Sequence, residues 1–335
     1  MSVADVAHAP LTSAPYPARL ADVVRADPWL RVRVALIALY AFAYVVWFQI
    51  NGLIIDRISV LLSVVILLAV AHVGQPWYRW RLLVVDFTLY VLMWLAYEES
   101  RGAADRLGMP LQVESVRNLD RILFFGADPN VWMQRRFYDR DVVHWYDVGA
   151  SIIYYTHFVV PIAVIVVLWI ASRREWLRFI KRFATVLLVS CAGFILLPTA
   201  PPWMAAGGDR QIELDALPPL ARPTGRGWTH LGLHGFVHAW EHGRDWANRI
   251  AAMPSLHAAY ALIVVVFFFP WIRRRWVKAL LLLFPVAMAA SLVYFAEHYV
   301  VDALAGWALV GLAFLAWGRI ERRLRERRAA TSRAA

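Results

Sequence analysis

The chain predicts an all-α, polytopic membrane fold of about eight transmembrane helices, and three observations carry that prediction. Of its 335 residues, 61% are hydrophobic and 14% aromatic, against roughly 45–50% apolar residues in soluble domains. Apolar runs long enough to cross ~30 Å of hydrocarbon, which takes ~20 helical residues, recur along the sequence. The charges fall mostly between those runs, with Lys and Arg concentrated in the short connections, the pattern that orients a multi-pass protein.

Taken in order, residues 1–28 contain Pro10, Pro15, Pro17 and Pro28 with little periodicity and read as a disordered lead-in. Runs at about 32–50, 54–73 and 80–96 form the first three spans, the second being short at its core. A long loop follows at about 97–148. Its LDRILFFGADPNVWMQRRFYDRD stretch mixes bulky apolar residues with charges, which suits a helix in the headgroup interface or a linker packed on the bundle. Residues 29–148 therefore group as N-terminal helices with an external loop, and 149–319 as a catalytic core.

Core runs follow at 149–171, 183–200, 254–270, 277–296 and 299–318, and 320–335 forms a basic tail. The second long loop, about 200–253, is opened by LLPTAPPWMAAGGD, whose prolines stop the fifth run and force an extended turn. Short connections make neighbouring core spans antiparallel. His257 and His298, at the starts of the sixth and eighth runs, then share one membrane face.

Charge sets the orientation. SRREWLRFIKR, PWIRRRWVK and the tail RIERRLRERR fall on one side, while acids concentrate in the two long loops. The net charge of +11 is thus accounted for by membrane orientation rather than by a nucleic-acid partner. Both termini are expected in the cytoplasm and the site outside, in an integral protein of the plasma membrane. The tail lies near anionic headgroups or in solvent. The single cysteine, Cys191, excludes an internal disulfide and, in apolar surroundings, is a poor thiolate nucleophile.

Three ionisable residues carry the chemistry. An ionisable side chain at membrane depth is by default a functional hypothesis. His298 and Asp302 stand at i and i+4 on a predicted helix and share a face. The carboxylate can fix one ring nitrogen and leave the other as base or nucleophile. His257, from the neighbouring span end, is then free to act as general acid. The competing readings are structural hydrogen bonding between helices and a metal site, for which two histidines and an aspartate are suitable ligands.

The elements LPTAPPW (197–203), MPSLHAA (253–259) and HYVVDALAG (298–306), in that order, resemble the type 2 phosphatidic acid phosphatase superfamily. Within it, APPW and PSLH are most similar to the inositol phosphotransferase branch that includes inositol phosphorylceramide synthase. The resemblance covers roughly residues 145–318 and implies a six-helix phosphatase-like core. It implies that His298 attacks a lipid phosphodiester to form a phosphohistidine, that Asp302 orients His298, and that His257 protonates the leaving alcohol. The partners implied are a phospholipid donor and a lipid acceptor in the bilayer, with no cofactor or metal. The implied activity is phosphotransfer of inositol phosphate, with hydrolysis of a lipid phosphate or polyprenyl diphosphate as the alternative, and a non-catalytic scaffold or transporter as a third.

Two departures from the phosphatase branch stand out. Arg222-Pro223 is preceded by Asp215 where that branch has a lysine, and Ser291-Leu292 replaces its Ser-Arg pair. The phosphoryl charge then needs another cation, for which Arg249 and Arg244 are candidates. Ser255 either caps a helix or touches phosphate. Trp203 and His157 complete the candidate substrate-binding set, His157 either lining a lipid cavity or hydrogen bonding to a tyrosine or backbone within its span. His230, His234, His238 and His242 recur every fourth residue. They read as a polar interfacial segment, or as paired ligands on a helix that the nearby glycines would weaken.

Overall fold

The structure, a computed structural model, describes residues 27–51, 57–100, 102–208, 216–238 and 249–334. The expected lead-in lies almost wholly outside these residues. Helices α1 (Leu30–Asn51), α2 (Arg57–Ala71) and α3 (Trp77–Ser100) come first. The first long loop holds α4 (Ala103–Arg106), α5 (Glu114–Leu123) and α6 (Pro129–Phe137). Then come α7 (Trp145–Ala171), α8 (Arg173–Leu196), the short α9 (Pro202–Ala205) and α10 (Arg226–His230). The chain continues with α11 (Leu256–Phe268), extended by a 3-10 turn at Phe269–Trp271, α12 (Arg275–Tyr294) and α13 (Val300–Ala334). Among the described residues only isolated β-bridges interrupt this all-α architecture.

Each run read as a span forms a helix. Six of them, α1, α3, α7, α8, α12 and α13, are long and apolar enough to cross a membrane. The second and sixth expected spans are shorter, at 15 residues in α2 and 13 in α11. The basic tail does not form a separate element: α13 runs through it for 35 residues. Arg182 of α8 clasps Glu321 of α13 with two hydrogen bonds of 3.0 and 2.9 Å.

By contacts the chain forms two compact units divided near Leu92. In the first, the Tyr40 hydroxyl of α1 donates to the Ser63 carbonyl of α2 at 3.0 Å, and Arg33 donates to the Val73 carbonyl at 3.1 Å. The second takes in α4 to α13, and so includes the first long loop beside the later helices.

Within the second unit α11 is the central element and packs against α7, α8, α12 and α13. Its Ala258, Ala259 and Ala261 are buried, and such small residues let apolar helices approach closely. Gly306 of α13 serves the same end, since a Cβ there would stand 2.5 Å from the Ser255 carbonyl oxygen. The outward residues Val159, Val166, Leu188, Leu283 and Leu312 are exposed apolar side chains, as expected of a face turned to lipid.

Candidate active site

The loops that carry the motifs are laced together by backbone. Thr199 N–H donates to the Ile250 carbonyl at 2.8 Å, and the Thr199 carbonyl accepts from Ala252 at 3.3 Å. On its other side Ala200 N–H donates to Gln112 at 3.0 Å, and Gln112 N–H donates to Pro198 at 2.7 Å. The prolines at 198, 201 and 202 have no N–H to place, so Thr199 and Ala200 carry the stitching. Farther along, Trp203 N–H donates to the Ala296 carbonyl at 2.9 Å, docking the second long loop on the turn between α12 and α13.

That turn presents His298. Ala296 adopts φ 55°, the left-handed conformation that tightens the reversal, and His298 follows two residues later. Its Nδ1 lies 3.4 Å from Oδ2 of Asp302, and its Nε2 lies 3.4 Å from Nδ1 of His257. Asp302 is fully buried, and its Oδ2 also accepts the Tyr299 N–H at 2.8 Å, so one carboxylate caps α13 and faces the imidazole. His257 enters from the first turn of α11, held between rings. Tyr154 stacks at 5.0 Å and 14°, and His157 at 3.9 Å and 28°. Nε2 of His257 has no hydrogen-bond partner among the described residues.

The first long loop braces this turn from outside. Asp120 of α5 accepts the N–H groups of Val300 and Val301 at 2.9 and 2.8 Å, satisfying two otherwise orphaned donors at the start of α13. Asn130 of α6 donates to the carbonyls of Val293 and His298 at 2.9 and 3.0 Å. Gln134 donates to Ala221 and Tyr294 at 2.7 and 2.8 Å. All three side chains are buried, while Ile122, Phe125 and Trp132 on the same segment are exposed. The segment therefore packs its polar side chains on the bundle and turns its apolar ones outward. Burial pushes the Asp120 carboxyl up to about 6, against the two backbone N–H groups that favour its ionised form.

A cation also stands at the site. Arg222 makes a bidentate pair with Glu297, Nε to Oε1 at 2.6 Å and Nη2 to Oε2 at 3.0 Å. Its Cζ lies 4.3 Å from the Trp203 ring centroid, a cation–π contact. Burial works against the guanidinium charge, but Glu297 more than restores it and holds Arg222 above its ordinary range, with Tyr154 near enough to contribute.

This His-Asp-His geometry on a membrane helix bundle agrees with the comparisons with known proteins. The model of the PAP2 superfamily matches residues 115–316. The chain belongs to the PAP2 superfamily. It is 31% identical over 243 residues to phosphoinositol dihydroceramide synthase of Bacteroides thetaiotaomicron, covering 71% of this chain and 78% of the relative. No solved structure matches. As a PAP2 protein with a synthase relative, the chain is an integral membrane enzyme of the phosphatase or phosphotransferase type, acting on lipids.

The PAP2 match spans the brace as well as the motifs, since it opens in α5. His298, Asp302 and His257 come together as the sequence expects. Of the two roles left open for Ser255, the structure contains the cap: its fully buried Oγ accepts the Ala258 N–H at 3.3 Å. His157 makes no hydrogen bond at Nδ1 among the described residues and instead stacks between His257 and Tyr260, 5.3 Å from the latter. Arg249 is exposed, and Arg244 lies outside the described residues. Arg222, noted in the sequence only for the lysine missing before it, is the cation that the structure sets against Trp203 and Glu297. In the histidine series Gly232 has φ 75° and separates His230 from the helical stretch at 234–238, and His242 lies outside the described residues.

Proposed function

We propose that this chain is a lipid phosphotransferase that moves inositol phosphate from phosphatidylinositol to a lipid hydroxyl through a phosphohistidine on His298. The observation that carries the reading is the placement of His298 between two partners, with Asp302 at Nδ1 and His257 at Nε2, each at 3.4 Å. The likeness to the phosphoinositol dihydroceramide synthase of Bacteroides supports inositol phosphate as the transferred group and a dihydroceramide-type lipid as acceptor.

Asp302 holds the proton on Nδ1 and leaves the lone pair of Nε2 on the side facing His257, as the orienting carboxylate of a triad does. Nε2 attacks phosphorus, the bond to the diacylglycerol oxygen breaks, and His257 gives that oxygen its proton. His257, now neutral, takes the proton of the incoming hydroxyl as that oxygen attacks the phosphorus. The P–N bond breaks and His298 is restored. Arg222, fixed on Trp203, offsets the charge developing on the phosphoryl oxygens, usually the largest catalytic contribution. This His-Asp-His set supplies nucleophile, orientation and acid, so no metal is required by the chemistry.

The charge pattern supports cytoplasmic termini and a site on the external face. Transfer rather than hydrolysis is favoured by burial: His298 is 5% exposed and Asp302 0%, leaving little access for bulk water. The test is incubation of the purified protein with labelled phosphatidylinositol and a lipid extract containing dihydroceramide, with EDTA present. Label moving to a new lipid supports the reading, and release of free inositol phosphate alone contradicts it.

A further inference from the structure

Glu297 immediately precedes the candidate nucleophile and occupies one edge of Arg222. It is fixed there. Its N–H donates to the Leu292 carbonyl at 3.0 Å inside the tight turn after Ala296, and the residue is 8% exposed. Trp203, 7% exposed, covers a face of the same guanidinium. Nε and Nη2 are the atoms committed to the carboxylate, so the Nη1 edge stands outside that pair. The guanidinium is joined to the reacting turn through Glu297, the chain neighbour of His298, and through Trp203, whose N–H donates to the Ala296 carbonyl.

We propose that Glu297 is a specificity-determining residue: by holding Arg222 in a neutral pair, it fits the site to the single negative charge of a phosphodiester and rejects the second charge of a phosphomonoester lipid. The proposal rests on the reading above, in which Arg222 faces the phosphoryl group. A phosphomonoester carries roughly −1.5 to −2 at neutral pH, and a phosphodiester carries one negative charge. The Arg222–Glu297 pair sums to zero, and Asp302, buried in the first turn of α13, adds a further carboxylate beside His298. Each charge brought in meets fixed like charges in a poorly screened environment, so the second one is the costlier. With one edge taken by Glu297, the guanidinium also lacks its full bidentate fork, the arrangement that best holds a dianionic phosphate.

The test compares Glu297→Gln with the unaltered sequence. In intact protein, kcat/KM is measured for phosphatidic acid, by phosphate release, and for phosphatidylinositol, by label transfer. The ratio of the first to the second is expected to rise at least about tenfold, equivalent to about 1.4 kcal/mol, chiefly through KM for phosphatidic acid. A merely structural role would lower both rates in parallel and leave the ratio unchanged, which overturns the proposal. A second measurement does not depend on turnover. In a His298→Ala background, calorimetry with short-chain phosphatidic acid is expected to show binding at least about tenfold tighter once Glu297→Gln is added. Unchanged binding overturns the proposal. If phosphatidylinositol is inert throughout while phosphatidic acid still binds more tightly, the donor assignment fails and the role of Glu297 stands.

Discussion

The Asp120 carboxylate accepts the backbone N–H of Val300 at 2.9 Å across 180 residues of sequence, and so ties an extramembrane helix to the first residue of α13. The same carboxylate takes Val301, and Asp302 comes next in the chain. The position of His298 relative to Asp302 therefore depends on a side chain that touches neither the histidine nor the aspartate's own cap.

Replacing Asp120 with Asn leaves one acceptor oxygen for two N–H groups and sets an amide donor against one of them. A loss of about 1–2 kcal/mol of stability is expected from the lost cap, read as a lowered Tm, together with reduced kcat.

The pH dependence of this residue has two opposite signs. Its carboxyl is raised from 3.8 to about 6 in the folded protein, so the native state holds the proton more tightly than the unfolded chain. Its contribution to stability is fully present below about pH 4 and is lost as pH rises through about 6. Catalysis moves the other way, because only the ionised carboxylate accepts both N–H groups. An acid limb near pH 6 is expected in the kcat profile and is absent from Asp120→Asn.

Asp302→Asn keeps a side-chain oxygen for the Tyr299 N–H but no longer fixes the His298 tautomer. The expected result is a fall in kcat of roughly 1,000-fold or more with a small change in Tm, measured by lipid transfer and thermal denaturation.

Arg222→Lys preserves the charge but loses the planar edge that engages Glu297 and the face that lies on Trp203. A fall in kcat of roughly 100-fold is expected, larger than the rise in KM for phosphatidylinositol, because the cation acts on charge that develops in the transition state.

Gly306→Ala tests the approach of α13 to α11. The added Cβ would meet the Ser255 carbonyl at 2.5 Å and Ala259 at 3.4 Å. Relief of that clash has to part the helices that carry His298 and His257. Roughly 1–3 kcal/mol of destabilisation is expected, with activity lost before the fold.

The site is legible in the sequence where its geometry is local or where a residue type is out of place. His298 and Asp302 stand one helical turn apart, and His257 is an ionisable group at the end of an apolar run. The rest is carried by long-range contacts that leave no periodic trace. Asp120, Asn130 and Gln134 reach partners 180, 168 and 160 residues away, and in sequence each is one more polar residue on an amphipathic helix. Arg222 is a loop arginine like Arg249 until Glu297, 75 residues on, is placed against it. The spans are legible by hydropathy, but hydropathy does not show that α11 stops at 13 residues and continues as a 3-10 turn at Phe269–Trp271.

The central claim is that His298 carries the headgroup covalently. The most direct measurement is rapid acid-free quenching of the enzyme with inositol-labelled phosphatidylinositol and no acceptor, followed by peptide mapping. The account predicts base-stable, acid-labile label on the peptide containing His298, discharged on adding a lipid hydroxyl acceptor and absent from His298→Ala. Transfer without any labelled histidine, or label retained in His298→Ala, would contradict it.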